Sequence, residues 1–162
     1  MVFSKRNRIV EERTVSLFDG APTLQALDLA RAFFSAVAQS DSGKLADITR
    51  LPFALGNGIA IVSPNERDDF FKQAVVNYRE ANRNATLTFL QVTRGEEHLR
   101  FADDRERAFL AHIPPDEVRA VHVRVRRDWQ NEEVGAVLVR VLADGPVVIG
   151  LAQSGIRGVR GK

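Results

Sequence analysis

The last third of this 162-residue chain constrains its fold more than any other stretch. Three apolar-rich runs, 118–127, 134–143 and 147–153, are separated by turn signals, and the second join is only Asp144-Gly145-Pro146. Runs rich in β-branched residues and bounded by Gly, Pro and Asp read as strands. So short a join connects antiparallel neighbours, so the segment predicts an antiparallel meander. What precedes it is mostly helix-patterned. That order argues for an α+β fold in which helices cover one face of a curved sheet.

The helical part can be read element by element. A first helix is expected over 23–39, with Pro22 just ahead of it, where a missing N–H costs nothing. Leu24, Leu27, Ala30, Phe34 and Val37 recur three and four apart and form an apolar stripe, which Phe33 widens. A second helix is expected over 42–51, with Asp41 or Ser42 as N-cap, Leu45, Ile48 and Leu51 as its buried side and Pro52 as its terminator. Gly56-Asn57-Gly58 predicts a turn between two short strands, 53–55 and 59–62. Ser63-Pro64-Asn65-Glu66 fits a capping box with proline at the first helical position. The helix it opens should run to about residue 82, with Phe71, Ala74, Val75, Tyr78 and Ala81 on one face. Residues 86–93 are β-branched and aromatic enough for a strand. Residues 95–116 are ambiguous: Leu99, Ala102, Glu106, Phe109 and Ile113 suit a helix, 109–113 alone suits a short strand, and Pro114-Pro115 closes the segment.

Composition narrows the function classes. The net charge is +2, 44% of residues are hydrophobic, and there is no cysteine. Disulfides and thiolate metal sites are therefore excluded. No apolar run approaches the roughly 18–20 residues that span a bilayer, and the first residues are too polar for a secretory leader. A cytoplasmic protein is the expectation. Basic residues gather at both ends, as Lys5, Arg6 and Arg8, then Arg157, Arg160 and Lys162, while the middle carries mixed charge. That pattern suits solvated termini better than a nucleic-acid footprint. The expected organisation is an N-terminal arm over 1–22, one α+β domain over 23–154 and a basic flexible tail over 155–162.

The order of elements resembles the nuclear-transport-factor-like and ketosteroid-isomerase-like cone fold, also called cystatin-like or SnoaL-like. The residues that carry the resemblance are the stripe from Leu24 to Val37, the run from Leu45 to Leu51 ending at Pro52-Phe53, the helix capped by Ser63, and the meander with its Ala143-Asp144-Gly145-Pro146 join. The resemblance covers about residues 20–154 and is one of pattern, without a diagnostic motif. It implies a curved sheet wrapped round a long helix, an apolar pocket at the open end of the cone, and often a homodimer through the outer sheet face. The family includes isomerases, dehydratases, hydrolases and non-catalytic association domains, so function has to be argued from site residues.

Candidate chemistry is sparse. Isomerase-like members would use a carboxylate base with a tyrosine and a protonated acid as oxyanion donors. Tyr78 is the one tyrosine here, but it stands on the third helix, not the first, so the family's tyrosine role does not carry over to it. It reads either as a hydrogen-bond donor into the cone or as a core tyrosine bonded locally. In Val121-His122-Val123-Arg124-Val125-Arg126 the valines share one face of a strand and His122, Arg124 and Arg126 the other. With the valines inward, the histidine–arginine row faces solvent or a dimer partner. With the register reversed, His122 and Arg124 line the pocket and meet an acidic ligand. Burying two arginines without acids is costly, which favours the first arrangement. Tyr78, His122 and Arg124 are the ligand-binding candidates, for a small hydrophobic or mildly acidic molecule. His98, Asp103, Asp104 and His112 lie in one segment without a metal-ligand spacing, so no metal is expected, and no cofactor. Trp129, after Arg126 and Arg127, could stack on a base or anchor a dimer.

Overall fold

The computed structural model describes residues 10–13, 20–55, 59–81, 85–126 and 132–153; for 10–13, 78–81 and 153 only the backbone is described. Seven strands form one sheet in the order β1-β4-β5-β6-β7-β2-β3. They are β1 (Val10–Arg13), β2 (Thr49–Ala54), β3 (Ala60–Ile61), β4 (Thr86–Arg94), β5 (Val118–Arg126), β6 (Glu132–Leu142) and β7 (Gly145–Gln153). The meander expected from the sequence is β5-β6-β7, antiparallel throughout, and β4 extends it by a further antiparallel pair. Parallel pairs flank this core, β1 on β4 at one edge and β2 on β7 on the other side, where β3 forms the edge by pairing antiparallel with β2.

One face of the sheet carries the long helices α1 (Ala21–Ala38) and α3 (Pro64–Ala81), with the short α2 (Ser42–Ile48) beside them. Helix α1 lies across β4 to β7 and buries Ala26, Leu27, Ala30, Phe33 and Val37. This stripe is turned by about one residue from the one read from sequence. Leu24 is 44% exposed, and Phe33 is more deeply buried than Phe34. The helix is covered on two sides, by the sheet and by α3, so its apolar arc is too broad for its centre to be read from spacing alone. Helix α3 starts as its capping residues require: Ser63 Oγ accepts from the Glu66 N–H at 3.1 Å.

The second helix ends three residues earlier than expected. Asp41 caps it by accepting from the Lys44 N–H at 3.0 Å, but Thr49 is already extended, and its Oγ1 donates to the Leu45 carbonyl at 2.8 Å. From Thr49 the chain runs into β2 and pairs with β7, Thr49 opposite Val148 and Ala54 opposite Gly150. Leu51 continues the helical spacing in sequence, so only this pairing with a strand some hundred residues away distinguishes strand from helix. The approach is close: a Cβ on Gly150 would meet Ala54 at 2.9 Å, so glycine is required there. The short hairpin survives as predicted, with Phe53 opposite Ile61, although its Gly56-Asn57-Gly58 turn lies outside the described residues.

The ambiguous segment between β4 and β5 is helical. It forms α4 (Gly95–Leu99), α5 (Asp104–Leu110) and a 3-10 turn at Pro115–Glu117. Asp103 caps α5 by accepting from the Glu106 N–H at 2.9 Å. The segment folds back as a flap over the other face of the sheet, where Leu99, Phe109, Leu110 and Ile113 pack on Val118, Ala120, Leu138 and Ile149. The polypeptide can cross here because position 95 has no side chain; a Cβ would stand 2.3 Å from the Pro115 carbonyl oxygen. No helix among the described residues is long and apolar enough to cross a membrane.

Candidate functional site

Register decides which side chains face the helices. Val121, Val123 and Val125 of β5 pair with Val92, Phe89 and Leu87 of β4, and all point to the helical face. On β6 the matching positions are Val137, Gly135 and Glu133. Gly135 leaves a gap in this row, and Phe33, Phe34 and Val37 of α1 and Phe70, Phe71 and Ala74 of α3 wall it in. A cavity of about 420 Å³ results, between the two helices and strands β5 to β7. This is within the range of small-molecule pockets. Its aromatic wall is rigid: Phe33 and Phe71 meet edge to face at 6.3 Å, Phe53 and Phe71 at 5.5 Å, and Phe33 and Phe34 at 5.6 Å. Among the described residues that line it, Glu133 alone is ionisable, and it sits at an exposed end of the row.

The opposite face of the same strands is built differently. Two β-bulges, near Leu90 between β4 and β5 and near Ile149 between β6 and β7, bend the sheet. Under the flap lie two imidazoles, His98 of α4 and His122 of β5, each 2% exposed, with ring centroids 6.1 Å apart. His122 Nε2 shares a 2.9 Å hydrogen bond with Thr93 Oγ1, and His98 Nε2 shares one of 2.5 Å with Glu106 Oε2. His98 Nδ1 is buried with no hydrogen-bond partner among the described residues. Burial, and after it the neighbouring His98, pushes the His122 imidazole down from 6.5 to about 4. His122 is therefore a neutral ring near pH 7.

The candidates read from sequence separate across the sheet. The valines face the helices as expected, and His122 and Arg124 fall on the other side, away from the cavity. His122 does not reach solvent, however, because the flap covers it. Arg124 lies beyond the flap with its Nε 3.9 Å from Glu132 Oε2, and Arg126 Nε is 3.8 Å from Glu132 Oε1. Tyr78 stands one helical turn beyond the lining residue Ala74, and its side chain lies outside the described residues, as does Trp129. Of the four metal-ligand candidates, Asp103 caps α5, Asp104 and His112 are exposed, and His98 is bonded to Glu106. No three His, Asp or Glu side chains among the described residues converge to hold a metal ion.

No family model matches the sequence, and no curated protein matches it. Solved structures do. A protein from Shewanella frigidimarina NCIMB 400, provisionally named a ketosteroid isomerase, superposes with a TM-score of 0.52 at 10% identity, over 87% of this chain and 99% of that one. A protein from Xanthomonas campestris, provisionally named a calcium/calmodulin-dependent protein kinase II association domain, gives 0.52 at 11% identity, over 91% and 97%. The fold is the cone fold of the ketosteroid-isomerase-like and nuclear-transport-factor-like proteins. At such identities the likeness speaks for the backbone alone.

Sequence reasoning missed two parts of this cone. Glu133 was not singled out, although the Val125 register that places it inward follows from the valine row once β5 and β6 are paired. The His98–Glu106 contact joins residues eight apart on two short helices, and no periodicity announces it.

Proposed function

We propose that this chain binds a small, largely apolar and uncharged molecule in the cone, without turning it over. The observation that supports this most is the cavity of about 420 Å³ walled by Phe33, Phe34, Phe70 and Phe71, with Glu133 as its one described ionisable lining residue. A mildly acidic ligand suits it less well, since Arg124 points to the opposite face and the cavity itself offers a carboxylate. An oxyanion stabiliser of the ketosteroid isomerase kind would need donors aimed into the cavity. Tyr78, one turn beyond Ala74 on α3, is the candidate for holding a polar end of the ligand.

The test is titration with a neutral apolar fluorophore, N-phenyl-1-naphthylamine. Saturable binding with one site per chain is expected, and Ala74→Trp, which fills the space between α3 and the sheet, should abolish it. No saturation, or equal binding by the filled variant, would remove the support for this reading.

We also propose homodimerisation through the part of the outer sheet face that the flap leaves uncovered. Arg124 and Arg126 stand there as a row of cations paired with Glu132, at 3.9 and 3.8 Å. The resemblance to a protein named as an association domain points the same way. Sedimentation equilibrium of the wild type and of Arg126→Glu tests it, and a monomeric wild type at high concentration would refute it.

A further inference from the structure

The outer face carries a buried titratable cluster that the cavity does not use. Facing the His122 ring are His98 from α4, Thr93 and Gln91 from β4, and Ala136 from β6. Glu106 of α5 reaches the same place through His98. Other charges nearby are engaged elsewhere: Arg107 Nε donates to the Leu99 carbonyl within the flap, Glu117 pairs with Arg140 at 2.8 Å, and Arg124 lies by Glu132. The flap thus has two kinds of attachment to the sheet. One is the apolar strip under Leu99 and Leu110, and the other is the contact of the His98 ring in the flap with the His122 ring of β5, centroids 6.1 Å apart; the His98–Glu106 bond lies within the flap.

We propose that residues 95–117 form an acid-released flap: protonation of His122, buried beneath α4 against the His98 ring, lifts α4 and α5 while the meander stays folded, baring the strip of Ala120, Ala136, Leu138 and Ile149. The geometry makes the cluster selective. A proton on His122 places a charge in a buried site, 6.1 Å from the His98 ring that the flap lays over it. That charge acts against the docked flap, while the backbone ladder of β5 with β6 and the inner core carry no part of it.

The pH dependence has a definite sign. His122 titrates near 4 when docked, below its ordinary 6.5. A depressed histidine contributes stability that is fully present above 6.5 and is lost as pH falls through 4. The released flap exposes the ring to water and restores its ordinary affinity for the proton. Acid between those limits therefore favours release.

Hydrogen exchange between pH 7 and 3.5, corrected for intrinsic rates, tests the proposal on the full chain. Flap amides should lose at least about tenfold in protection between pH 6.5 and 4, since each unit of separation between docked and free imidazole is a factor of ten. Amides of β5 and β6 should keep theirs. His122→Gln should flatten this profile. Equal, simultaneous loss in flap and meander would mean ordinary acid unfolding and overturn the proposal, as would an unchanged profile in the variant. Should the variant not fold, the ring resonances of wild-type His122 decide. A midpoint below about 5 that tracks flap exchange supports release, and an ordinary midpoint near 6.5 overturns it.

Discussion

Along β5 the inward residues are Val121, Val123 and Val125, while the outward ones are Ala120, His122 and Arg124. Between successive residues of one strand, the chain makes two kinds of interior. The inward one is dry and holds its shape by ring packing; the outward one is closed by a flap and holds its shape partly by polar contacts. Apolar packing tolerates any pH, but a missing side chain leaves a hole. A buried polar cluster costs little volume but depends on protonation state and on every member keeping its partner. The same sheet therefore presents one face that responds to shape and another that responds to chemistry.

Substitutions sharpen this contrast. The largest effect is expected for Phe71→Ala, which removes a ring that is 1% exposed and meets Phe33, Phe53 and Phe70. It should cost about 3–5 kcal/mol in chemical denaturation and weaken binding of the neutral fluorophore. Gly95→Ala should cost less, about 1–3 kcal/mol, because its methyl would strike the Pro115 carbonyl and push the flap outward. Fluorophore binding in the cone should then be unchanged; a loss would show that the two faces are coupled. Thr93→Val removes the 2.9 Å bond to His122 and should cost about 1 kcal/mol, read from the same denaturation curves. The smallest effect is expected for Glu133→Gln. An uncharged apolar ligand should bind within about twofold of wild type, a difference of under 0.5 kcal/mol. A tenfold change would mean that the carboxylate contacts the ligand and would revive a catalytic reading with Glu133 as base.

The parts of this structure that were legible in sequence are those governed by local rules. Ser63 and Pro64 announce a helix start, and alternating valines announce a two-faced strand, because the signal and its cause lie within a few residues. The meander follows from three such runs and a short join. The extent of α2 was not legible, since Leu51 fits a helix and only the distant β7 recruits it into a strand. Nor was the burial of His122. Its face could be read, but the cover over it comes from α4 and α5, whose positions are set by Gly95 passing close beneath Pro115. The cavity was legible as a consequence of the fold, whereas Gly135, which leaves room for it beside Val123, became meaningful only with the register in hand.

The flap leaves the sheet after Arg94 and rejoins it at Val118, and Arg94 stands directly opposite Arg119 in the ladder. Its two ends are therefore held together by the strands, as the two ends of an ordinary hairpin loop would be. The entropic cost of closing such an excursion grows slowly, by about 0.6 kcal/mol for each doubling of length. The excursion is thus an insert between two strands already paired at its base, and none of its residues lines the cavity of the cone. A lineage could exchange this cover for a two-residue turn, or for a longer domain, and leave the cavity intact. What such an exchange would alter is the company the outer surface keeps, because the strip from Ala120 to Ile149 would then have to find its cover in another molecule.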